Sequence, residues 1–190
     1  SPLNISAMSY GALSKNAISA LNKAAKIGDF SHNTGEGGIS PYHLDGGGDL
    51  VWQIGTGYFG CRDAEGKFDT SKFTEKAAYD AVKMIEIKLS QGAKPGHGGI
   101  LPAAKLTQEI SDIRHVPMGQ DVISPPAHSA FDSPVGLLKF VSRLRELSGG
   151  KPVGFKLCIG NPVEFLSICK AMLETNITPD FITIDGAEGG

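Results

Sequence analysis

Five short segments combine small residues with a few charged or polar side chains, a composition typical of loops that hold a small molecule. They are residues 7–14 (AMSYGALS), 33–38 (NTGEGG), 92–99 (GAKPGHGG), 123–128 (ISPPAH) and the strand-like 153–157 (VGFKL). Small residues let backbone N–H groups lie against a flat or anionic ligand. Each segment alone is also typical of an ordinary turn, so the interpretation depends on where a fold brings the five together.

Three of these segments carry a charge whose surroundings limit its use. Glu36 stands between glycines, so either a ligand or solvent uses its carboxylate. Lys94 is followed by a glycine-rich turn, a combination that suits an anion or a carboxylate. Lys156 lies in an otherwise apolar strand, so its ammonium reaches either solvent at a sheet edge or the polar mouth of a barrel. In an interior strand the second applies, because an unpaired buried ammonium is very costly.

Other chemistries lack the residues they need. The five histidines share no ligand spacing, which excludes a metal site, and His128 is either an acid–base group or a structural hydrogen-bonder. Neither a Walker spacing nor a Gly-x-Ser-x-Gly elbow occurs, which excludes a nucleotide P-loop and that class of hydrolase. Cys61, Cys158 and Cys169 are widely spaced and odd in number. They argue against a disulfide framework and predict a reducing compartment, the cytoplasm.

Length and composition restrict the remaining classes. The chain has 190 residues, 18 Lys plus Arg and 20 Asp plus Glu, and a formal net charge of −2. This balance, without any Lys/Arg run, excludes a strongly basic nucleic-acid binder. Hydrophobic residues make up 41% of the chain, enough for a core. No apolar run approaches the roughly 18 residues of a membrane span. We therefore treat residues 1–190 as one domain or part of one.

Strand-like and helix-like segments alternate along the chain. The patterns predict strands at 3–9, 29–33, 90–94, 153–159 and 181–185, an antiparallel hairpin from 50–54 and 58–61, and helices at 15–26, 74–89, 107–113, 134–147 and 162–175. Such alternation indicates βαβ units and a parallel sheet. The polar and glycine-rich motifs follow the strands, which favours a (β/α)₈ TIM barrel over the alternative, a doubly wound open sheet. About six strands are visible and such barrels need roughly 250 residues, so we expect a C-terminally incomplete barrel.

Taken in order, these segments and Arg114-His115 resemble the FMN-binding synthase domain of glutamate synthases. The resemblance covers essentially the whole chain. It implies a (β/α)₈ barrel with FMN at its mouth. It also implies an oxidoreductase of glutamate biosynthesis, which adds ammonia to 2-oxoglutarate while reduced flavin delivers a hydride to the resulting imine. The implied partners are the 2-oxo acid, ammonia and an electron donor such as ferredoxin or a reductase subunit.

The resemblance also implies roles for single residues. The flavin ring would lie against Ala7, Met8 and Ser9, with Lys156 at its pyrimidine edge, and Gly189 and Gly190 would begin a phosphate-binding turn. The 2-oxo acid would be surrounded by Glu36, Lys94, Arg114 and Ser133, with Glu36 and Lys94 as the catalytic pair. The family's iron–sulfur cysteines belong to a later segment, and none of the three cysteines here matches them.

Two departures bear on the substrate. Ile100 stands where the family usually has a glutamine, and His97 where a glutamate is usual. Residues 127–129 and 45–73 also differ from the long enzymes. Two alternatives therefore stay open: an FMN oxidoreductase acting on a different 2-oxo or imino acid, and a non-catalytic barrel module.

Overall fold

Parallel strands arranged in sequence order form the centre of the molecule. The computed structural model describes residues 2–93 and 96–186. Its strands are β1 (His32–Asn33), β2 (Leu50–Ile54), β3 (Val82–Lys88), β4 (Ile100–Leu101), β5 (Val122–Ile123), β6 (Val153–Leu157) and β7 (Ile182–Ile184). The main sheet has the order β1-β2-β3-β6-β7 with all neighbours parallel, and β4 pairs antiparallel with β5 in a separate ribbon.

Capped helices connect and cover these strands. They are α1 (Lys15–Gly28), α2 (Pro41–Leu44), α3 (Thr70–Ala77), a 3₁₀ turn (Ala103–Lys105), α4 (Gln108–Arg114), α5 (Pro134–Leu147) and α6 (Pro162–Thr175). Five of them begin at a side chain that accepts a backbone N–H, namely Ser14, Asp69, Thr107, Ser133 and Asn161. Each such cap stabilises its helix by about 1 kcal/mol. Among the described helices, none combines the length and apolar character needed to cross a bilayer.

The core lies between the sheet and its helices. Trp52 of β2 stacks on Phe73 of α3 with ring centroids 5.2 Å apart. Phe155 of β6 and Leu144 of α5 belong to the same buried cluster. The α/β class is confirmed, and an order that runs in one direction fits part of a (β/α)₈ barrel rather than a doubly wound sheet, whose order reverses. The complete eight-stranded barrel stays a prediction.

Two predicted elements are wrong. Residues 50–54 form an interior parallel strand rather than half of a hairpin. The strand lies between β1 and β3 in the sheet, and all five of its residues are buried. Residues 58–61 are turns. The helix predicted over 74–89 is instead the end of α3, a tight turn in which Val82 N–H donates to Tyr79 C=O, and β3.

Smaller differences concern the segments around the sheet. Residues 3–9 contain one bridge, Ile5 to His32, and no strand. No strand occurs in 90–93, the described part of the weak candidate at 90–94. The region beyond it, for which the sequence predicts no strand, contains the β4–β5 ribbon. Helices α1, α4, α5 and α6 and strands β6 and β7 are confirmed to within about two residues, the usual uncertainty of such boundaries.

Candidate functional site

The C-terminal ends of the parallel strands surround a cavity of about 430 Å³. Six predicted site residues line it: Ala7, Met8, Ser9, Glu36, Arg114 and Lys156. They come from four distant parts of the chain. Cavities of roughly 300–1,000 Å³ are typical of ligand sites.

One wall of the cavity is the extended segment at residues 7–9. Met8 N–H donates to Asn33 C=O over 3.2 Å, and Met8 C=O accepts from His43 Nε2 over 3.0 Å. His43 Nδ1 accepts from Ser40 N–H, so the ring proton is on Nε2. Burial lowers the pKa of His43 to about 4, so the ring is neutral at pH 7. A neutral, buried histidine therefore holds this wall in place.

Glu36 lies just beyond β1 and reaches into the cavity. Its Oε1 is 2.9 Å from Nζ of Lys88, the last residue of β3. Backbone packs closely around the carboxylate: a Cβ at Gly55 would lie 2.5 Å from Oε2, and one at Gly99 would lie 2.9 Å from Oε1. Glycine at both positions therefore makes room for Glu36. Sequence reasoning missed Lys88, because the apolar stripe over 74–89 predicts a helix and therefore no strand that ends at this lysine.

Arg114 closes another side of the cavity from the end of α4. The residue is 6% exposed, Nη2 donates to Tyr10 C=O over 3.2 Å, and the guanidinium lies 5.2 Å from the Phe59 ring centroid. Burial lowers the pKa of the guanidinium, and the charge of Glu36 opposes that shift. The buried Nε has no hydrogen-bond partner, and no described carboxylate forms an ion pair with Arg114. A buried cation in this state is suited to bind an anion.

Lys156 projects from β6, which lies between β3 and β7. Its Nζ is 3.1 Å from Oδ2 of Asp185, the residue after β7. The same carboxylate oxygen accepts from Gly92 N–H over 3.1 Å. Lys156 therefore lies in an interior strand and lines the cavity, and Asp185 is the partner that the sequence did not reveal.

A buried carboxylate ties the strands together beneath the cavity. Glu86 of β3 accepts hydrogen bonds of 2.7 Å from Asn33 Nδ2, Gln53 Nε2 and Thr183 Oγ1. These donors come from β1, β2 and β7. Because a satisfied buried network fixes the relative positions of its members, Glu86 holds the strand ends that carry the site.

The remaining predicted residues lie elsewhere. Ser133 caps α5, its Oγ accepting from Gly136 N–H, and it lines a separate cavity of about 480 Å³. Its place in substrate binding stays a prediction that this geometry does not support. His128 donates from Nε2 to Lys88 C=O and contacts the Tyr58 hydroxyl, which makes it a structural residue. The other three predictions fall outside the described residues: Lys94, Gly189 and Gly190.

Within the described ranges, no group of three or more histidine, cysteine, aspartate or glutamate side chains is placed to hold a metal ion. The acidic residues near the cavity are instead bound to lysines or amides.

Comparison with known proteins identifies the family. A family model described as the conserved region in glutamate synthase matches residues 1–190. The chain belongs to the glutamate synthase family. The family resemblance predicted from the motifs is therefore confirmed.

Individual relatives agree with this assignment. The glutamate synthase large subunit-like protein YerD of Bacillus subtilis is 46% identical over 186 residues, 97% of this chain and 35% of that protein. The archaeal-type glutamate synthase [NADPH] of Thermotoga neapolitana is 36% identical over 192 residues, 100% of this chain and 34% of that protein. The large chain of glutamate synthase [NADPH] from Azospirillum brasilense is 32% identical over 96% of this chain and 11% of that protein. The chain thus spans about a third of the first two relatives.

Proposed function

We propose that this chain forms the flavin- and substrate-binding part of an FMN-dependent glutamate synthase-type oxidoreductase that converts 2-oxoglutarate and ammonia into glutamate. The observation that carries the proposal is one cavity in which a buried lysine, a buried arginine with an unpartnered Nε and a lysine-bound glutamate meet. A non-catalytic module has no reason to gather these costly charges around a space that a ligand can enter.

The residues fit a flavin. The wall at residues 7–9 consists of small side chains and Met8, against which a flat ring packs, and Lys156 supplies a fixed positive charge within the same cavity. When bound, FMN supplies the hydride transfer, and a positive charge near the pyrimidine edge of its ring stabilises the reduced form. Gly189 and Gly190 remain the proposed start of a phosphate-binding turn.

Arg114 and Lys94 are the proposed carboxylate-binding residues. Arg114 is the better supported, because it lines the cavity, no described carboxylate forms an ion pair with it, and a planar guanidinium can bind a carboxylate with two parallel hydrogen bonds. Holding 2-oxoglutarate there would bring its carbonyl carbon towards the wall at residues 7–9. Ammonia adds to that carbon, water leaves to give the imine, and a hydride plus a proton then give glutamate.

Glu36 is the proposed proton-transfer group. Lys88 holds Oε1, so Oε2 is the oxygen that would take a proton from the attacking ammonia and help water to leave. General acid–base groups of this kind contribute about 10²–10⁴ in rate. Lys88 is then a positioning residue, because its ammonium binds Oε1 and fixes the carboxylate.

The proposal extends to partners and compartment. Ammonia and an electron donor such as ferredoxin or a reductase subunit must reach the cavity, and two of the relatives described above are named for NADPH. The cytoplasm is the proposed location, supported by three cysteines that are all free thiols.

Ile100 favours a second candidate, an FMN oxidoreductase acting on another 2-oxo acid. Its side chain is 61% exposed, lines the cavity and pairs across the ribbon with Ile123. An alkyl group there offers no hydrogen bond to a polar substrate end. We expect Ile100→Gln to raise the preference for 2-oxoglutarate over less polar 2-oxo acids about tenfold in kcat/KM. A lower preference after the substitution would show that position 100 does not contact the substrate.

The flavin is tested in the complete protein. Purified protein should carry one FMN per cavity, seen in its visible absorbance, and Lys156→Ala should weaken FMN retention or make the flavin harder to reduce. Lys170→Ala, which removes an exposed lysine of α6, is the control. A protein that binds no FMN would overturn the proposal. Unchanged affinity and potential in Lys156→Ala would overturn the assignment of Lys156.

A further inference from the structure

Asp185 connects two parts of the site that sequence reasoning treated separately. Its Oδ2 accepts from Lys156 Nζ and from Gly92 N–H, each over 3.1 Å. Gly92 opens the glycine-rich loop that contains Lys94 in the sequence. The Asp185 N–H donates to Leu157 C=O, which fixes the residue against the end of β6. One carboxylate therefore holds both the cavity lysine and the first residue of the loop.

We propose that Asp185 is a positioning residue that sets how much of the Lys156 charge reaches the flavin. The inference rests on the proposed function, since it requires FMN beside Lys156. The side chains of Lys156 and Asp185 are 8% and 15% exposed, so water screens their charges little. The ion pair holds the Lys156 ammonium on the Asp185 carboxylate, whereas an unpaired lysine is free to turn its ammonium towards the flavin, so the effect of Asp185 acts through the position of Lys156.

The neighbouring charges make Asp185 the residue with this role. Lys88 is paired with Lys156 in the register of β3 and β6, but its ammonium is bound to Glu36. Glu86 lies deeper in β3 and accepts from two amides and a hydroxyl. Within the part of the chain that the structure describes, Asp185 is the carboxylate that forms an ion pair with Lys156.

The predicted signs of the two substitutions are opposite. Removing the positive charge with Lys156→Gln should lower the reduction potential of bound FMN. Removing the negative charge with Asp185→Asn should raise it, because the full charge of Lys156 then favours the reduced flavin. In Asp185→Asn, we expect the dissociation constant of oxidised FMN divided by that of reduced FMN to rise about tenfold. This change corresponds to a rise of about 30 mV for a two-electron couple.

A matched control exists at the opposite end of the same two strands. Asp180 accepts from Val153 N–H and from Arg145 but does not line the 430 Å³ cavity that holds Glu36 and Arg114. Asp180→Asn is the same chemical change in another ion pair, which joins the segment before β7 to Arg145 of α5. It should leave the flavin potential unchanged, so a general loosening of the fold is separated from a local effect on the charge.

The decisive experiment is a redox titration of FMN in the complete protein and its variants. A double variant, Lys156→Gln with Asp185→Asn, tests action through the lysine: the Asp185→Asn shift should fall to less than half in that background. Asp185→Glu, which keeps the charge on a longer side chain, gives a second measurement. Its flavin potential should rise as in Asp185→Asn, but by less. Hydrogen exchange at the Gly92 amide should accelerate in the variants that carry Asp185→Asn and not in Lys156→Gln or Asp180→Asn.

The outcomes separate the two proposals. If wild type binds no FMN, the proposed function fails. If wild type binds FMN and Lys156→Gln lowers its potential, but Asp185→Asn leaves the potential unchanged or lowers it, only the role of Asp185 is overturned. Full additivity in the double variant would also overturn it, because Asp185 would then act on the flavin independently of Lys156.

Discussion

At the N-terminal end of β6 and β7, Asp180 accepts from Arg145 and from Val153 N–H, whereas at the C-terminal end Asp185 accepts from Lys156 and from Gly92 N–H. Each arrangement joins an aspartate to a basic side chain and to a backbone N–H, but the surroundings differ. The side chains of the first pair are 31% and 41% exposed, those of the second 8% and 15%. Exposed ion pairs contribute little to stability. The buried pair faces a cavity.

The same difference separates the two arginines of these regions. Arg145 places two guanidinium nitrogens on one carboxylate of Asp180. Arg114 is more deeply buried and keeps an Nε without a partner. A fold that satisfies its cations at one end and leaves a buried cation unsatisfied at the other indicates where a ligand belongs. In parallel α/β folds that end is the carboxyl end of the strands.

The largest expected effect is at Glu36. Glu36→Gln keeps the size of the side chain but removes its ability to take a proton, so kcat for glutamate formation should fall by about 10²–10⁴. Steady-state kinetics with 2-oxoglutarate and ammonia measure it. Glu174→Gln, which alters an exposed lysine-bound glutamate of α6, should leave kcat unchanged. A loss of less than twofold at Glu36 would remove it from the reaction.

The two arginines provide the next comparison. Arg114→Ala should weaken 2-oxoglutarate binding by about 2–5 kcal/mol, because a buried charge partner of the substrate is lost. Arg145→Ala should not change substrate binding, since its guanidinium is at the opposite end of the strands. Titration with 2-oxoglutarate compares them, and Arg114→Lys, which keeps the charge without the fork, should give an intermediate affinity. Equal affinities in Arg114→Ala and wild type would place the substrate elsewhere.

The smallest expected effect is a loss of folding stability at low pH. Burial lowers the pKa of both His32 and His43 to about 4, from a usual value near 6.5. As pH falls, the unfolded chain therefore binds protons before the folded chain does. The contribution of each neutral ring to the free energy of unfolding is complete above about pH 6.5, and roughly 3 kcal/mol of it is lost as pH falls towards 4.

The loss should appear first at the wall that His43 holds. Hydrogen exchange at the Met8 amide, corrected for its intrinsic pH dependence, should show falling protection between pH 6.5 and 4.5, while the Val153 amide at the other end of the sheet stays protected. Uniform loss at both amides would contradict a local effect.

Much of the site could be predicted because single residues stood out locally. Lys156 is the one charge in an apolar strand, and Glu36 is isolated among glycines. Lys88 could not be identified, because Ala77, Ala81, Met84 and Ile85 imitate a helical stripe and the turn between α3 and β3 has no glycine or proline. The alternation that marks β3 is visible only once its partners β2 and β6 are known.

Other features depend on contacts between distant segments. The sequence predicts a hairpin after β2 because Gly55 and Gly57 are typical of a hairpin turn. In the fold, Gly55 instead packs against Glu36 and Gly57 against the Phe59 ring. Ser133 caps α5 because a serine followed by a proline favours a helix start, but a cap forms from local sequence and does not place the residue in the cavity. The unpartnered Nε of Arg114 is likewise a property of the fold.

The most direct test is an anaerobic half-reaction in the complete protein. Its bound flavin is first reduced chemically, and the return of the oxidised absorbance is then followed after mixing with 2-oxoglutarate, with ammonia, or with both. We predict rapid reoxidation only with both together, with one glutamate formed per flavin, and none in Arg114→Ala at the same substrate concentration. A flavin that remains reduced with both present, or that reoxidises equally in Arg114→Ala, would contradict the assignment of this cavity.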